Sequence, residues 1–217
     1  MSAQLWQSQR ITRLDDLVGN SEALAELRAI DSGFVLIQGP IGCGKTSAAL
    51  AYVAEKSGHR IVEGERRVCL GSYYVSHVHA SDFEITEAEK RHLFFHRSTP
   101  TWLIVDEAQL LTEKKQQSRL KTIPYRPELT IILCTQDASA LEASIRDRCT
   151  KIRLGPLTAR ELPELVRRAC AAVGIEYRAE LVQALNRAEC FRPRAILNAV
   201  EAVARGRSIT NAVAGQA

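Results

Sequence analysis

The sequence predicts an α/β fold, a parallel sheet with helices on both faces, followed by a small all-helical unit. Three observations predict it. Short, wholly apolar runs stand at Phe34–Ile37, Trp102–Val105 and Leu129–Cys134, with a fourth candidate strand at Tyr73–His79, and helical or polar segments separate them. Runs of this kind are how strands buried on both faces read. Beyond about Leu154 the strands give way to amphipathic helical patterns. The composition, 46% hydrophobic and 25% charged over 217 residues, excludes a disordered or fibrous chain and is enough for a core without disulfides or structural metal.

Taken in order, the run at Phe34 enters a glycine-rich loop, and from Thr46 to Lys56 alanine and leucine recur at helical spacing. In the last quarter, one helix is expected from Ala159 to Val173, ending at Gly174, and a second from Ala179 to Ala188. A third starts at Pro193, a residue suited to a first helical turn, and runs to Ala204 ahead of Gly206. Gly155-Pro156 is the expected hinge, dividing residues 1–155 from a helical lid at 156–217.

Several function classes drop out early. The six cysteines form no Cys-x-x-Cys pair, and neither they nor the five histidines fall at metal-ligand or Ser/His/Asp spacing. No run of roughly 18 apolar residues occurs and the start lacks the order of a signal peptide, so a soluble, cytoplasmic protein is expected. Lysine and arginine outnumber aspartate and glutamate by 29 to 25, a net charge of +4 that permits a polyanionic partner without requiring one.

Gly39-Pro40-Ile41-Gly42-Cys43-Gly44-Lys45-Thr46 matches the phosphate-loop pattern G-x-x-x-x-G-K-[ST], placed between a buried strand and a helix as the chemistry requires. Its glycines let successive amides face phosphate oxygens, and the helix N-terminus adds positive partial charge. Lys45 is then expected on the β- and γ-phosphates, with the Thr46 hydroxyl on Mg²⁺. Cys43, inside the loop, reads as a small neutral filler. The run Leu103-Ile104-Val105-Asp106-Glu107 ends a buried strand in adjacent carboxylates, a Walker B arrangement. There Asp106 would hold the metal through water and Glu107 would polarise the attacking water.

These motifs together resemble an AAA+ ATPase, and within that superfamily the motor subunits of DNA sliding-clamp loaders, over nearly all of Trp6 to Val213. The resemblance implies a five-stranded parallel sheet and binding of ATP and Mg²⁺ between body and lid. Trp6 to Arg10 and Leu14 to Gly19, including Val18, are similar to the loader segment beside adenine, without the usual proline after Arg10. His79-Ala80-Ser81-Asp82 is similar to an Asn-Ala-Ser-Asp box with histidine at its first place. Asp137, Leu141, Ile145, Arg148 and Cys149 fall at loader spacing. Asp147-Arg148-Cys149 thereby resembles the Ser-Arg-Cys triplet, which makes Arg148 the arginine finger for a neighbouring subunit's ATP, with Arg146 a competitor. Gln136 falls at the sensor-1 position, where loaders carry threonine or asparagine, and Thr135 is the fallback. Arg194 lines up with the sensor-2 arginine, although Phe191-Arg192-Pro193 replaces the glycine before it.

By the same resemblance, neighbouring AAA+ subunits, double-stranded or primer-template DNA and a sliding clamp are the expected partners, with Lys90, Arg91, Lys114, Lys115, Arg119 and Lys121 facing DNA phosphates. The four-cysteine zinc module of bacterial loaders is missing, and a collar domain after the lid is expected to be absent from these 217 residues, either because they are a piece of a longer chain or because assembly runs through the ATPase modules alone. Two competing readings stay open at this point. One is another AAA+ remodeller, such as a helicase loader or a recombination or transposition ATPase; the other is a nucleotide-binding adaptor that does not hydrolyse.

Overall fold

Strand β1 (Gly33–Gln38) lies inside the sheet, paired in parallel with β5 (Leu129–Thr135) on one side and β6 (Cys149–Arg153) on the other. The computed structural model describes residues 11–59, 68–69, 73–85, 91–95, 99–111 and 114–216. With β2 (Val68–Cys69), β3 (Tyr74–His79) and β4 (Thr101–Asp106), the strand order is β2-β3-β4-β5-β1-β6. Five strands are parallel, and β2 adds a two-residue antiparallel edge beside β3. Because the five run the same way, their carboxyl ends meet at one rim, the place where open α/β sheets bind ligands.

Period-two alternation assigns the two faces. Val35, Ile37, Ile104, Ile132 and Cys134 pack under helices α1 (Ser21–Ala29) and α2 (Lys45–Ser57). Phe34, Leu36, Leu103, Ile131 and Leu133 face the opposite way, onto Leu120 of α3 (Lys114–Thr122) and the neighbouring Ile123. The alanines Ala48, Ala49 and Ala51 are wholly buried, so α2 lies close against the sheet and holds its N-terminus at the rim. It starts after Gly44 (φ 96°) and stops at Gly58 (φ 73°), whose amide returns to the Ala54 carbonyl, a glycine C-cap.

The lid comprises α5 (Leu162–Val173), α6 (Ala179–Arg187), α7 (Pro193–Ala204) and α8 (Ile209–Ala214), closed around Val166, Leu181, Leu185, Ile196 and Val200. Between β5 and β6 lie a 3₁₀ turn at Ala138–Ala140 and one short α-helix, α4 (Ala143–Arg146). The four expected strands and three expected lid helices are present. The first lid helix begins three residues later than periodicity suggests, because the Glu161 carboxylate accepts from the amide and hydroxyl of Thr158 (2.7 and 2.8 Å) and fixes residues 159–161 as a turn. The fourth lid helix is an addition, started by Ser208, whose hydroxyl accepts from the Asn211 amide.

Side-chain hydrogen bonds tie Gly155 to the segment ahead of α1. The Asn20 side chain pairs with both polar groups of Gly155, accepting from its amide (2.8 Å) and donating to its carbonyl (3.1 Å). Asn20 is left-handed (φ 55°), a conformation that asparagine tolerates better than most residues. From the lid, Arg168 donates to the Asp16 carbonyl at 3.1 Å. Among the described residues, no helix is long and apolar enough to cross a membrane.

Candidate functional site

At the shared rim, the loop after β1 and Glu107, just past the end of β4, face a cleft whose far side is the start of α7. The loop is shaped by its glycines. A Cβ on Gly39 would meet the Leu154 carbonyl oxygen at 2.1 Å and Cys43 Sγ at 2.8 Å, so the backbone can only pass there as glycine. Gly42 and Gly44 take φ of 75° and 96°. Gly39→Ala is accordingly expected to cost about 1–3 kcal/mol or more from overpacking against a main-chain atom that cannot step aside. Gly44, with nothing within 4 Å, carries only a dihedral penalty of about 1–2 kcal/mol. Denaturant midpoints of the two alanine variants should fall in that order.

Lys45 is 6% exposed, and its ammonium donates to the carbonyls of Gly39 and Pro40, both at 3.0 Å. A buried cation needs such partners. It lies along the loop it would serve. The Thr46 hydroxyl donates to Asp106 Oδ2 at 2.8 Å, which brings together two hard oxygen donors of the kind that hold Mg²⁺. The donor set thus fits that ion. Asp106 Oδ1 accepts from the Glu107 amide at 3.0 Å, and Glu107 is turned left-handed (φ 52°) as the chain leaves β4. For a non-glycine residue that conformation costs on the order of 1 kcal/mol, and it re-aims the carboxylate at the end of β5. There the Gln136 side-chain amide donates to Glu107 Oε2 at 2.9 Å.

Thr135, wholly buried, is held by Asp137 and does not reach Glu107 among the described hydrogen bonds, whereas the Gln136 side chain does. Val18 and Gly42 line the cleft, and from the lid side so does Arg194. The Arg194 amide donates to the Gly42 carbonyl at 3.1 Å, and a Cβ on Gly42 would touch Arg194 Cβ at 3.0 Å. The lid thus sits directly on the phosphate loop. Cys43 is buried at the loop's base and burial pushes its thiol pKa up, which suits the filler reading rather than a reactive thiolate.

Arg148 is elsewhere. Its guanidinium donates to the carbonyls of Lys121 (2.9 Å) and Ile123 (3.0 Å), closing the last turn of α3, and stacks 4.2 Å over the Phe34 ring. Phe34 is the second residue of β1 and the phosphate loop leaves the strand's other end, roughly 16 Å away. Arg148 cannot serve its own chain's phosphates from there. Cys149 beside it is a structural thiol: its Sγ donates to the Ile145 carbonyl and burial raises its pKa to about 11.

Of the residues expected to face DNA, Arg91 is exposed and Arg119 half-buried, Lys114 and Lys115 sit in the first turn of α3, and Lys121 pairs with Glu142 at 2.7 Å. Lys90 and the Trp6–Arg10 segment lie outside the described residues. His79 replaces asparagine without loss of the local turn, because its Nδ1 caps Ala80–Asp82 by accepting from the Ser81 amide. Sequence reasoning missed Gln109 and Asn20. Gln109 stands two places after the Walker B glutamate, the one signal that could have drawn attention to it.

The sequence profile of the ATPase family associated with various cellular activities (AAA) matches residues 35–157, from β1 through the hinge. The chain belongs to this AAA family. Its curated relatives include the replication factor C large subunit of Methanothrix thermoacetophila, 26% identical over 212 residues that make up 92% of this chain and 44% of that one. The small subunit of Methanocella arvoryzae is 25% identical over 93% of this chain and 63% of its own, and replication factor C subunit 2 of Arabidopsis thaliana 25% over 94% and 62%. This AAA chain therefore spans less than half of the Methanothrix relative and under two thirds of the other two. Among solved structures, the Thermotoga maritima RuvB Holliday junction branch migration motor is similar in fold, with a TM-score of 0.69 at 19% identity over 95% of this chain and 71% of that one. The FIGL-1 AAA domain in complex with ADP gives 0.66 at 16% identity over 94% and 83%.

Proposed function

We propose that this AAA chain is an ATP-hydrolysing, DNA-associated motor module of the sliding-clamp-loader kind, working in the cytoplasm beside neighbouring AAA+ subunits. The observation that carries the reading is the convergence, at one rim, of the glycine loop with Lys45, the Thr46–Asp106 pair, the Glu107–Gln136 contact and lid residue Arg194. Similarity to replication factor C subunits across more than nine tenths of the chain gives the reading its direction.

In this reading, loop amides from Gly39 to Thr46 and the N-terminus of α2 hold the phosphates of ATP, and the Lys45 ammonium turns from two carbonyls to the β- and γ-oxygens. Thr46 and Asp106 would hold Mg²⁺, which would supply neutralisation of charge on the phosphoryl oxygens. Glu107 takes the proton of the attacking water, with Gln136 orienting its carboxylate. Arg194 senses the nucleotide from the lid, since its helix starts against Gly42 and any shift of the loop moves it. A neighbour's Arg148 supplies the cation that stabilises the transition state.

DNA lies along α3 and the segment ahead of β4, where Lys90, Arg91, Lys114, Lys115 and Arg119 contribute phosphate contacts that carry no sequence information. The test is ATPase stimulation. Primer-template DNA together with a sliding clamp should raise turnover, and the gain should fade steeply as salt rises. Stimulation by four-way junctions or by a helicase instead would identify another AAA+ remodeller. Turnover equal to that of Glu107→Gln under every condition would identify a non-hydrolysing adaptor.

A further inference from the structure

One side chain next to the Walker B glutamate makes more contacts than any role so far described requires. Gln109 lies in the turn after β4, half-buried. Its Nε2 donates to Glu107 Oε2 through a short contact, and its Oε1 accepts from the Gln136 amide at 3.1 Å and is in reach of the Thr135 hydroxyl at 2.9 Å. Gln136 closes the figure, since its own side-chain amide donates to the same Glu107 oxygen at 2.9 Å. The result is a ring of hydrogen bonds through Glu107, Gln109 and Gln136 that ties the end of β4 to the end of β5.

The chemistry of the ring leaves Gln109 one orientation. On one side it meets a carboxylate oxygen, which can only accept while ionised; on the other it meets a main-chain N–H, which can only donate. A primary amide is the side-chain group that answers both at once. Reversing it would set its carbonyl against the carboxylate and its NH₂ against the Gln136 N–H. Among the described hydrogen bonds Glu107 accepts at Oε2 alone, so the ring fixes the carboxylate by one oxygen and leaves Oε1 to face a water. The left-handed backbone at Glu107 (φ 52°) adds to the need for such a restraint, because a strained residue keeps its place only when its surroundings over-determine it.

We propose that Gln109 is a positioning residue for ATP hydrolysis: its amide holds the Glu107 carboxylate in register with Gln136, so that the proton acceptor and the sensor move as one unit. The proposal rests on the ATPase reading above and adds to it a residue outside the cleft lining.

Two isosteric variants test it. Gln109→Glu keeps the acceptor that serves Gln136 and loses the donor that serves Glu107, whereas Gln109→Met loses both. Single-turnover hydrolysis, affinity for a fluorescent non-hydrolysable ATP analogue and thermal midpoint are measured for each, alone and combined with Glu107→Gln. We expect both variants to lose on the order of 10²-fold in hydrolysis rate, the size of loss that misplacing a catalytic group brings. Analogue affinity should stay within about twofold of the parent, and neither variant should lower the residual rate of Glu107→Gln any further, because residues acting as a unit are non-additive. A role confined to bracing β5 predicts that Gln109→Glu stays active, and that result overturns the proposal. So does a loss confined to analogue affinity, or one additive with Glu107→Gln. Should the parent turn over no faster than Glu107→Gln, the ATPase reading falls first and takes this one with it; a fast parent with equally fast Gln109 variants sinks this proposal alone.

Discussion

Glu107→Gln is expected to lower ATP turnover by on the order of 10²–10⁴-fold, the usual worth of a positioned general base, while ATP still binds. The argument starts from shape. Glutamine has the same length as glutamate and can present a carbonyl oxygen where Oε2 now accepts from Gln109 and Gln136, so the ring between the strand ends survives. The left-handed turn at residue 107 is set by the backbone leaving β4 and by the Asp106 side chain, which accepts the residue's amide at 3.0 Å. What the substitution removes is the ability to take a proton. Phosphate contacts come from the loop between β1 and α2, which Glu107 does not shape, so analogue binding should remain within about twofold of the parent while hydrolysis stops. The two readouts separate a chemical loss from a binding loss. A Glu107→Gln chain that hydrolyses at the parent's rate would move the base to another residue.

How much of this could be read from the sequence depends on how each residue announces itself. Strands β1, β4 and β5 are buried along nearly their whole length because both faces are covered, and the uninterrupted apolar runs inside them make them plain in the sequence. Strand β6, Cys-Thr-Lys-Ile-Arg, is an edge strand in which only Ile152 is buried, so its apolar signal is one residue long. Its place beside β1 comes from pairing, which composition does not report. The phosphate loop and the Asp106-Glu107 pair are legible because their chemistry demands fixed residue types at fixed spacing, and the structure sets them at one rim. Gln109 and Asn20 are different. Each works through amide geometry to a partner distant in sequence, Gln109 to residue 136 and Asn20 to residue 155, and a lone amide in a loop carries no periodic or motif signal. Gln136 stands out only through its spacing in a family resemblance, and its contact with Glu107 gives a physical reason why an amide can stand at that position.

Arg148→Ala is expected to lower turnover of the assembled protein by about 10³-fold or more, as loss of an arginine finger does, while leaving nucleotide affinity of the single chain untouched. The geometry makes this separable. Within its own chain Arg148 sits over Phe34 and on the carbonyls of Lys121 and Ile123, at the opposite end of β1 from the phosphate loop, so its removal cannot disturb its own cleft directly. Those contacts do brace the end of α3, and losing them should cost the isolated chain about 1–2 kcal/mol, read as a lowered thermal midpoint. To serve a neighbour the guanidinium must exchange two neutral carbonyls for phosphate oxygens, which adds attraction between opposite charges to bonds whose donor is already charged. A mixing experiment isolates the trans role. Chains carrying Lys45→Ala and chains carrying Arg148→Ala should each be inactive alone, and an equal mixture should regain activity at the seams where an intact loop meets an intact arginine, about a quarter of them by random pairing. Arg146 provides the internal control, since its Nε is buried without a hydrogen-bond partner among the described residues and two positions separate it from Arg148. Rescue that needs Arg146 in place of Arg148 would hand it the role, and no rescue by either, at any ratio, would mean that each chain completes its site alone.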